Sequence, residues 1–393
     1  MSEWKEYKIK DLGTVITGTT PSSKFPEDFG NEVMFVTPSD YKNYTKNINQ
    51  TERYLSQIGV KKLSNRVLPI NSIMVTCIGS DMGKVALNLL KVITNQQINS
   101  IIPNSIVDNN FLYYKIKDEY DTLKMYGGEG TAVPIVNKTT FENITLIIPE
   151  NKSEQESIAE VLSSLDDKID LLHRQNKTLE ELAETLFRKN VFSSDEDSTT
   201  LSEYISVQGG YAFKSKDFLE EGGAGVVKIT NISFEYIDTI STQFISSDVA
   251  ATIHKKFKIL PGSFLIAMTG AEIGKIGIVG MTSKDLYLNQ RVGMLIDKFP
   301  NSSIIGYLFL RSPEGQDHVI NTASGSAQEN ISTTGIESMI VPKISIEKLS
   351  ELCFLLKPFF DKKISNLHQI QQLESLRDTL LPKLMSGEVR VKN

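Results

Sequence analysis

The chain repeats itself. Leu68-Pro69 precedes Ser72-Ile73-Met74-Val75-Thr76-Cys77-Ile78-Gly79-Ser80-Asp81-Met82-Gly83-Lys84, and Leu260-Pro261 precedes Ser263-Phe264-Leu265-Ile266-Ala267-Met268-Thr269-Gly270-Ala271-Glu272-Ile273-Gly274-Lys275. Asn95-Gln96 answers to Asn289-Gln290, Val36-Thr37 to Ile229-Thr230, Gly130 with Ala132 to Gly325 with Ala327, and Leu146-Ile147-Ile148-Pro149 to Met339-Ile340-Val341-Pro342. A period this long marks a duplicated domain of about 150 residues plus a helix, because each copy can bury a core of its own.

Inside the copies, short apolar runs such as Ser72–Ile78, Val85–Leu90 and Ile144–Ile148 are cut by Gly, Pro, Asn and Ser clusters and predict strands. Asn110–Tyr120 and Ser303–Arg311 predict helices. The expected fold class is α+β: two similar globular domains separated by two long helices forming an antiparallel coiled coil, with an internal pseudo-two-fold repeat. The expected segments are residues 1–150 (first domain), 151–194 (central helix), 195–345 (second domain) and 346–393 (C-terminal helix).

The helical segments differ in kind from the domains. Ser153–Asn190 contains no Gly or Pro, and Ile158, Leu162, Leu165, Ile169, Leu172, Leu179 and Leu186 recur at steps of three and four, with Asn176 taking one turn. A second stripe runs through Phe360, Ile364, Leu367, Ile370, Leu373, Leu376, Leu380 and Leu384. Two stripes at the coiled-coil period can bury each other, and the pseudo-two-fold repeat makes the natural pairing antiparallel. Pro358 is expected to break or kink the second helix near its start, and Gly387 to follow its end. Arg174, Lys177, Glu181, Arg377 and Asp378 are expected to face away from the seam.

Composition excludes several classes. Apolar residues make up 40 % and charged residues 23 %, which fits neither a disordered nor a fibrous chain. No apolar run approaches the ~20 residues of a membrane span, and Met-Ser-Glu-Trp-Lys-Glu is no signal segment, so a cytoplasmic protein without membrane contact is expected. Cys77 and Cys353 stand among apolar neighbours and read as reduced core residues. The net charge of −6 argues against coating by nucleic acid through bulk attraction. Residues 1–150 carry 16 Lys+Arg against 16 Asp+Glu, and 195–345 carry 12 against 17. Nucleic-acid contact must therefore come from local basic loops or from basic partner subunits.

Catalytic patterns are missing. Gly79-Ser80-Asp81-Met82-Gly83-Lys84 has three residues between its glycines where a P-loop needs four, and Val85 stands in place of the Mg-binding Ser/Thr. The second copy, Gly270 to Lys275 followed by Ile276, fails in the same two ways, and both read as glycine turns between strands that expose a lysine. His173, His254, His318 and His368 are too scattered for a metal or base pair. No Pro-Pro occurs to build the base-holding loop of an amino-methyltransferase, and no upstream aspartate completes a nuclease site at Glu3-Trp4-Lys5 or Glu6-Tyr7-Lys8. Neither catalytic nor metal-binding residues are expected.

What recurs instead is polar loop chemistry. In the first copy Thr20, Ser22, Ser23, Lys24, Thr37, Ser39, Lys84, Asn95, Gln96, Gln97 and Asn99 are candidate DNA contacts. In the second they are Tyr211, Lys214, Lys216, Thr230, Asn231, Lys275, Asn289, Gln290 and Arg291. Asn and Gln pair with adenine edges, Arg and Lys with guanine.

The whole chain resembles the specificity (S) subunits of type I restriction-modification enzymes. Leu376-Arg377-Asp378-Thr379-Leu380-Leu381-Pro382-Lys383-Leu384-Met385-Ser386-Gly387-Glu388-Val389-Arg390-Val391 is similar to that family's C-terminal conserved region, and Leu165-Asp166-Asp167-Lys168-Ile169-Asp170 with Thr178-Leu179-Glu180 to its central one. Thr37-Pro38-Ser39-Asp40 resembles a recurrent loop of its first recognition domain. The resemblance implies two target recognition domains, each reading half of a bipartite double-stranded DNA target. It also implies two methyltransferase subunits carrying S-adenosylmethionine, two restriction (translocase-nuclease) subunits using ATP and Mg2+, and no cofactor on this chain. The rival reading is a non-catalytic coiled-coil scaffold whose two domains bind proteins or glycans.

Overall fold

The computed structural model describes residues 3–41, 46–128, 134–192, 197–234, 236–323 and 329–391. Gly130, Ala132, Gly325 and Ala327 lie outside the described residues. The chain forms two compact units, Met1–Leu171 with Gln372–Asn393, and Leu172–Gln371.

Unit 1 runs β1 (Trp4–Lys8), α1 (Ile9–Leu12), β2 (Gly13–Thr17), β3 (Phe29–Val36), β4 (Asn47–Ile48), β5 (Arg53–Leu55), α2 (Gln57–Lys62), β6 (Ile73–Thr76), β7 (Val85–Asn88), β8 (Val92–Thr94) and β9 (Ile98–Pro103). Then come α3 (Asn109–Asp118), α4 (Tyr120–Tyr126), α5 (Lys138–Glu142), β10 (Thr145–Pro149) and the first half of α6 (Lys152–Val191). Its sheets have the orders β2-β9-β6-β7-β4 and β5-β3-β8, and β1 pairs with β10.

Unit 2 runs β11 (Ser198–Thr200), β12 (Ile205–Gly209), β13 (Phe218–Leu219), β14 (Ala224–Val227), β15 (Gln243–Ile245), α7 (Ser247–Thr252), β16 (Lys258–Ile259), β17 (Phe264–Ala267), β18 (Ile276–Ile278), β19 (Asp285–Leu288) and β20 (Val292–Asp297). It continues through α8 (Ser302–Arg311), α9 (Pro313–Thr322), α10 (Thr333–Glu337), β21 (Ile340–Pro342) and most of α11 (Ile346–Met385). The orders are β12-β20-β17-β18 and β13-β15-β14-β19-β16, and β11 pairs with β21.

The units share one plan. β2-β9-β6-β7 answers strand for strand to β12-β20-β17-β18, and β5-β3-β8 to β15-β14-β19, each of the latter joining one antiparallel and one parallel neighbour. The structure corrects one sequence correspondence. β3 ends at Val36 and β14 at Val227, so Val36-Thr37 answers to Val227-Lys228 and not to Ile229-Thr230. A short helical turn follows in both, and its last residue fixes the equivalence: the Asp40 carboxylate accepts from the Thr37 N–H at 2.7 Å, and the Asn231 amide oxygen from the Lys228 N–H at 2.9 Å.

The cores take in the long helices. Phe111, Tyr114, Ile158, Leu162, Leu381 and Leu384 share one apolar cluster, and Tyr307, Phe309, Ala183, Phe187, Leu352 and Phe360 share another. α11 passes through Pro358 without a break. A proline inside a helix costs about 3 kcal/mol, but Leu349, Leu352, Cys353 and Leu356 just before it are all buried, at roughly 1.5–3 kcal/mol for each large apolar side chain. Gly387, with φ 75°, follows the end of the helix in the left-handed region. Cys77 and Cys353 are free and buried, and burial pushes both thiols up to about 12. Among the described residues no helix is long and apolar enough to cross a membrane.

Candidate nucleic-acid interface and helix seam

The two glycine turns are built alike. Gly79 and Gly83 have φ of 89° and 94°, Gly270 and Gly274 of 70° and 82°, values that an L side chain rarely adopts. The turns join β6 to β7 and β17 to β18, both antiparallel pairs. Their lysines are not simply exposed. Lys84 Nζ lies 2.9 Å from Asp81 Oδ1, and Lys275 pairs with Glu272 three residues before it. Each lysine thus has a carboxylate of its own turn to leave before it could neutralise a phosphate.

The candidate contacts divide into buried braces and exposed tips. Thr37 is buried, its hydroxyl donating to Asp40 at 2.9 Å, and the Ser39 hydroxyl lies 2.9 Å from it. Asn95 is buried and donates to Gln97 Oε1 at 2.9 Å. Asn99 donates to the Val136 carbonyl and accepts from the Thr17 hydroxyl, and Asn231 donates to the Ser241 carbonyl. Asn289 accepts from the Arg291 N–H at 3.3 Å. These polar atoms satisfy the protein itself.

The exposed tips fall into two groups. In unit 1 Thr20 donates to Gln96, and Gly79 of the lysine turn lies beside the Gln97 amide. Ser22, Ser23 and Lys24 are exposed on the following loop. In unit 2 the Gln290 N–H donates to the Tyr211 carbonyl at 2.9 Å, which brings Tyr211, Gln290 and Arg291 together. The side chains of Gln290 and Arg291 are exposed without a side-chain partner among the described residues. Lys214, Lys216 and Thr230 are also exposed.

Unit 2 adds an aromatic run. Tyr211 lies 5.5 Å from Phe257 and 5.0 Å from Phe213, which lies 5.9 Å from Phe218. Lys256 stands 4.9 Å over Phe257 at one end and Lys228 stands 4.1 Å over Phe218 at the other. Burial lowers the Lys228 pKa. Lys228, Lys256 and Phe257 were not singled out from sequence, because the sheet and not the chain makes them neighbours.

The helix seam is more polar than its leucines suggest. In unit 1 Asp166 accepts from Arg377 Nη1 and from the Tyr114 hydroxyl, both at 2.8 Å, and Glu154 lies 3.7 Å from Arg390. In unit 2 Asn366 donates to Asn176 at 2.8 Å, and Glu180 takes Lys363, the Tyr307 hydroxyl and Arg311 Nη2, the last at 3.1 Å. Moving forward along α6 means moving back along α11 in both units, so the halves run antiparallel. Asp166 and Lys363 side chains are each only 2 % exposed. Burial opposes the Arg377 charge, yet its hydrogen bonds to Asp378 and Asp166 hold its pKa above the ordinary value. Burial, and then Asp166, push the Tyr114 hydroxyl up.

Of the expected stripe, Ile158, Leu162, Ile169, Leu172, Phe360, Ile370 and Leu384 are buried, and Leu165, Leu179, Leu186, Ile364, Leu367, Leu373 and Leu380 half-buried. Leu376 is corrected: it is 47 % exposed, and Arg377 takes the inward position. The inward charge of Asp166 demands that partner, so Arg377 does not face outward either. Arg174, Lys177, Glu181 and Asp378 are exposed as expected. Beneath these side chains the repeat is strict: buried Leu162, Asp166, Ile169, Leu172, Asn176 and Ala183 return 194 residues later as buried Leu356, Phe360, Lys363, Asn366, Ile370 and Arg377.

Two α+β domains of one plan, carrying different exposed side chains on paired helices, define a tandem recognition protein. Residues 1–181 and 194–375 match the type I restriction modification DNA specificity domain, and the chain belongs to that family, whose members are specificity subunits and not themselves catalysts. It is similar to the type I restriction enzyme MjaIX specificity subunit of Methanocaldococcus jannaschii, 28% identical over 99% of this chain and 94% of that one. The HindI specificity subunit of Haemophilus influenzae is 37% identical over 38% of this chain and 32% of its own length. The crystal structure of the type I restriction-modification S subunit from M. genitalium shares the fold, with a TM-score of 0.59 at 17% identity over 98% of this chain and 96% of that one.

Proposed function

We propose that the chain reads a bipartite double-stranded DNA target, one half-site per domain, and scaffolds two methyltransferase and two restriction (translocase-nuclease) subunits in the cytoplasm. S-adenosylmethionine belongs to the methyltransferase subunits, and ATP and Mg2+ to the restriction subunits. One observation carries this reading. At matching places on a shared frame, unit 1 presents Thr19, Gln96 and Gln97 where unit 2 presents Tyr211, Gln290 and Arg291. A repeated frame with altered tips is what a target of two unlike halves requires.

The acidic chain leaves most phosphate neutralisation to its partners. Binding by the methyltransferase-loaded complex should therefore weaken steeply as salt rises, as counterion release demands. A flat salt response, or no DNA binding by the assembled complex, would instead support a scaffold for proteins or glycans.

A further inference from the structure

The buried polar pairs fall mostly where the repeat fails: Asp166, Asn176, Lys363, Asn366 and Arg377 have apolar counterparts in the other copy, and Glu180 returns as Glu374. Because the seam of α6 returns 194 residues later on α11, the same register would let α6 of one copy of the chain lie against α6 of another with its apolar layers matched. In that like-helix pair Asp166 would face Ala183 instead of Arg377, Glu180 would face Ile169 instead of Lys363, and Asn176 would face Leu172 instead of Asn366. On α11 Arg377 would face Phe360 and Asn366 would face Ile370, whereas Lys363 would meet Glu374, the counterpart of Glu180, so the exclusion rests on α6.

We propose that Asp166–Arg377, Glu180–Lys363 and Asn176–Asn366 form a pairing code that commits α6 to α11 of the same chain and excludes the like helix of a second copy. A buried charge without its partner is strongly unfavourable, and a lone amide on a seam selects partner and register at a cost in stability. The code also reaches into the domains, since Tyr114 on α3 bonds to Asp166, and Tyr307 and Arg311 on α8 to Glu180. The inference does not depend on what the domains bind.

The test refolds the full-length chain from denaturant over a wide concentration range and measures mass by light scattering. The wild type should return at 43.9 kDa throughout. A variant with Asp166→Leu, Asn176→Leu, Glu180→Met, Lys363→Met, Asn366→Leu and Arg377→Met should refold with a concentration-dependent dimer of twice that mass. An exchanged variant, Asp166→Arg with Arg377→Asp, keeps that pair complementary and should stay monomeric; Glu180 and Lys363 are left in place because Arg311 also holds Glu180. If the apolar variant does not fold, the milder Asn176→Leu with Asn366→Leu decides, with a measurable dimer fraction expected. Monomers alone from every folded apolar variant, or equal dimerisation of the exchanged one, would overturn the proposal.

Discussion

Replacing Arg377 with leucine should be more damaging than replacing Asp166 and Arg377 together. The Asp166 carboxylate is 2 % exposed and has two strong partners, Arg377 Nη1 and the Tyr114 hydroxyl, each at 2.8 Å. Arg377→Leu leaves a buried anion held by one phenol. Breaking a buried pair in this way costs about 3–5 kcal/mol. For a cooperative unit of this size each kcal/mol moves Tm by roughly 2–4 °C, so the unit 1 transition should fall by about 6–20 °C. Asp166→Leu with Arg377→Leu removes both charges from water-poor surroundings, and its main cost is the lost acceptor of the buried Tyr114 hydroxyl, about 1–3 kcal/mol. Differential scanning calorimetry of the full chain, with both single variants closing a double-mutant cycle, measures the coupling. A loss below about 1 kcal/mol for Arg377→Leu, or a double variant as unstable as the sum of the singles, would refute the reasoning.

Three further outcomes follow from the same geometry. Arg291→Ala should leave Tm unchanged, because its guanidinium holds nothing among the described residues, and should relax base preference in one half-site by roughly 1–3 kcal/mol, read by competition binding of the assembled complex; Lys275→Ala, already paired with Glu272, should weaken all sequences alike. Asp40→Ala removes the acceptor of the Thr37 and Glu52 N–H groups, at 2.7 and 2.9 Å, and should cost about 2–4 kcal/mol in denaturant melts while sequence preference persists. Burial raises the Glu374 pKa, so the folded chain holds that proton more tightly than the unfolded chain and the group costs stability as pH rises above the ordinary carboxylate value. Glu374→Gln should therefore raise Tm at neutral pH, and the gain should vanish near pH ~4.

The sequence carried the scaffold and concealed the contacts. The duplication, the glycine turns at Gly79–Gly83 and Gly270–Gly274, and α6 from Lys152 to Val191 were visible because periodicity and positive-φ glycine leave local marks. The loop residues were not separable, since a polar side chain that closes a turn and one that reads a base have the same composition. Thr37, Asn95, Asn99 and Asn231 proved to be braces, whereas Gln290 and Arg291 are open. Leucine counting placed Leu376 inward because the reason for Arg377 lies at Asp166, 211 positions away. Tyr211, Phe213, Phe218 and Phe257 become one aromatic run only through the sheet β13-β15-β14-β19-β16.

The central claim is that the two domains read separate halves of one target. The direct measurement is methylome mapping in a host whose chain carries residues 195–345 from a relative of different specificity, with the helices left intact. The account predicts that one half of the methylated sequence changes while the other half is retained. A change in both halves, or in neither with methylation preserved, would contradict it.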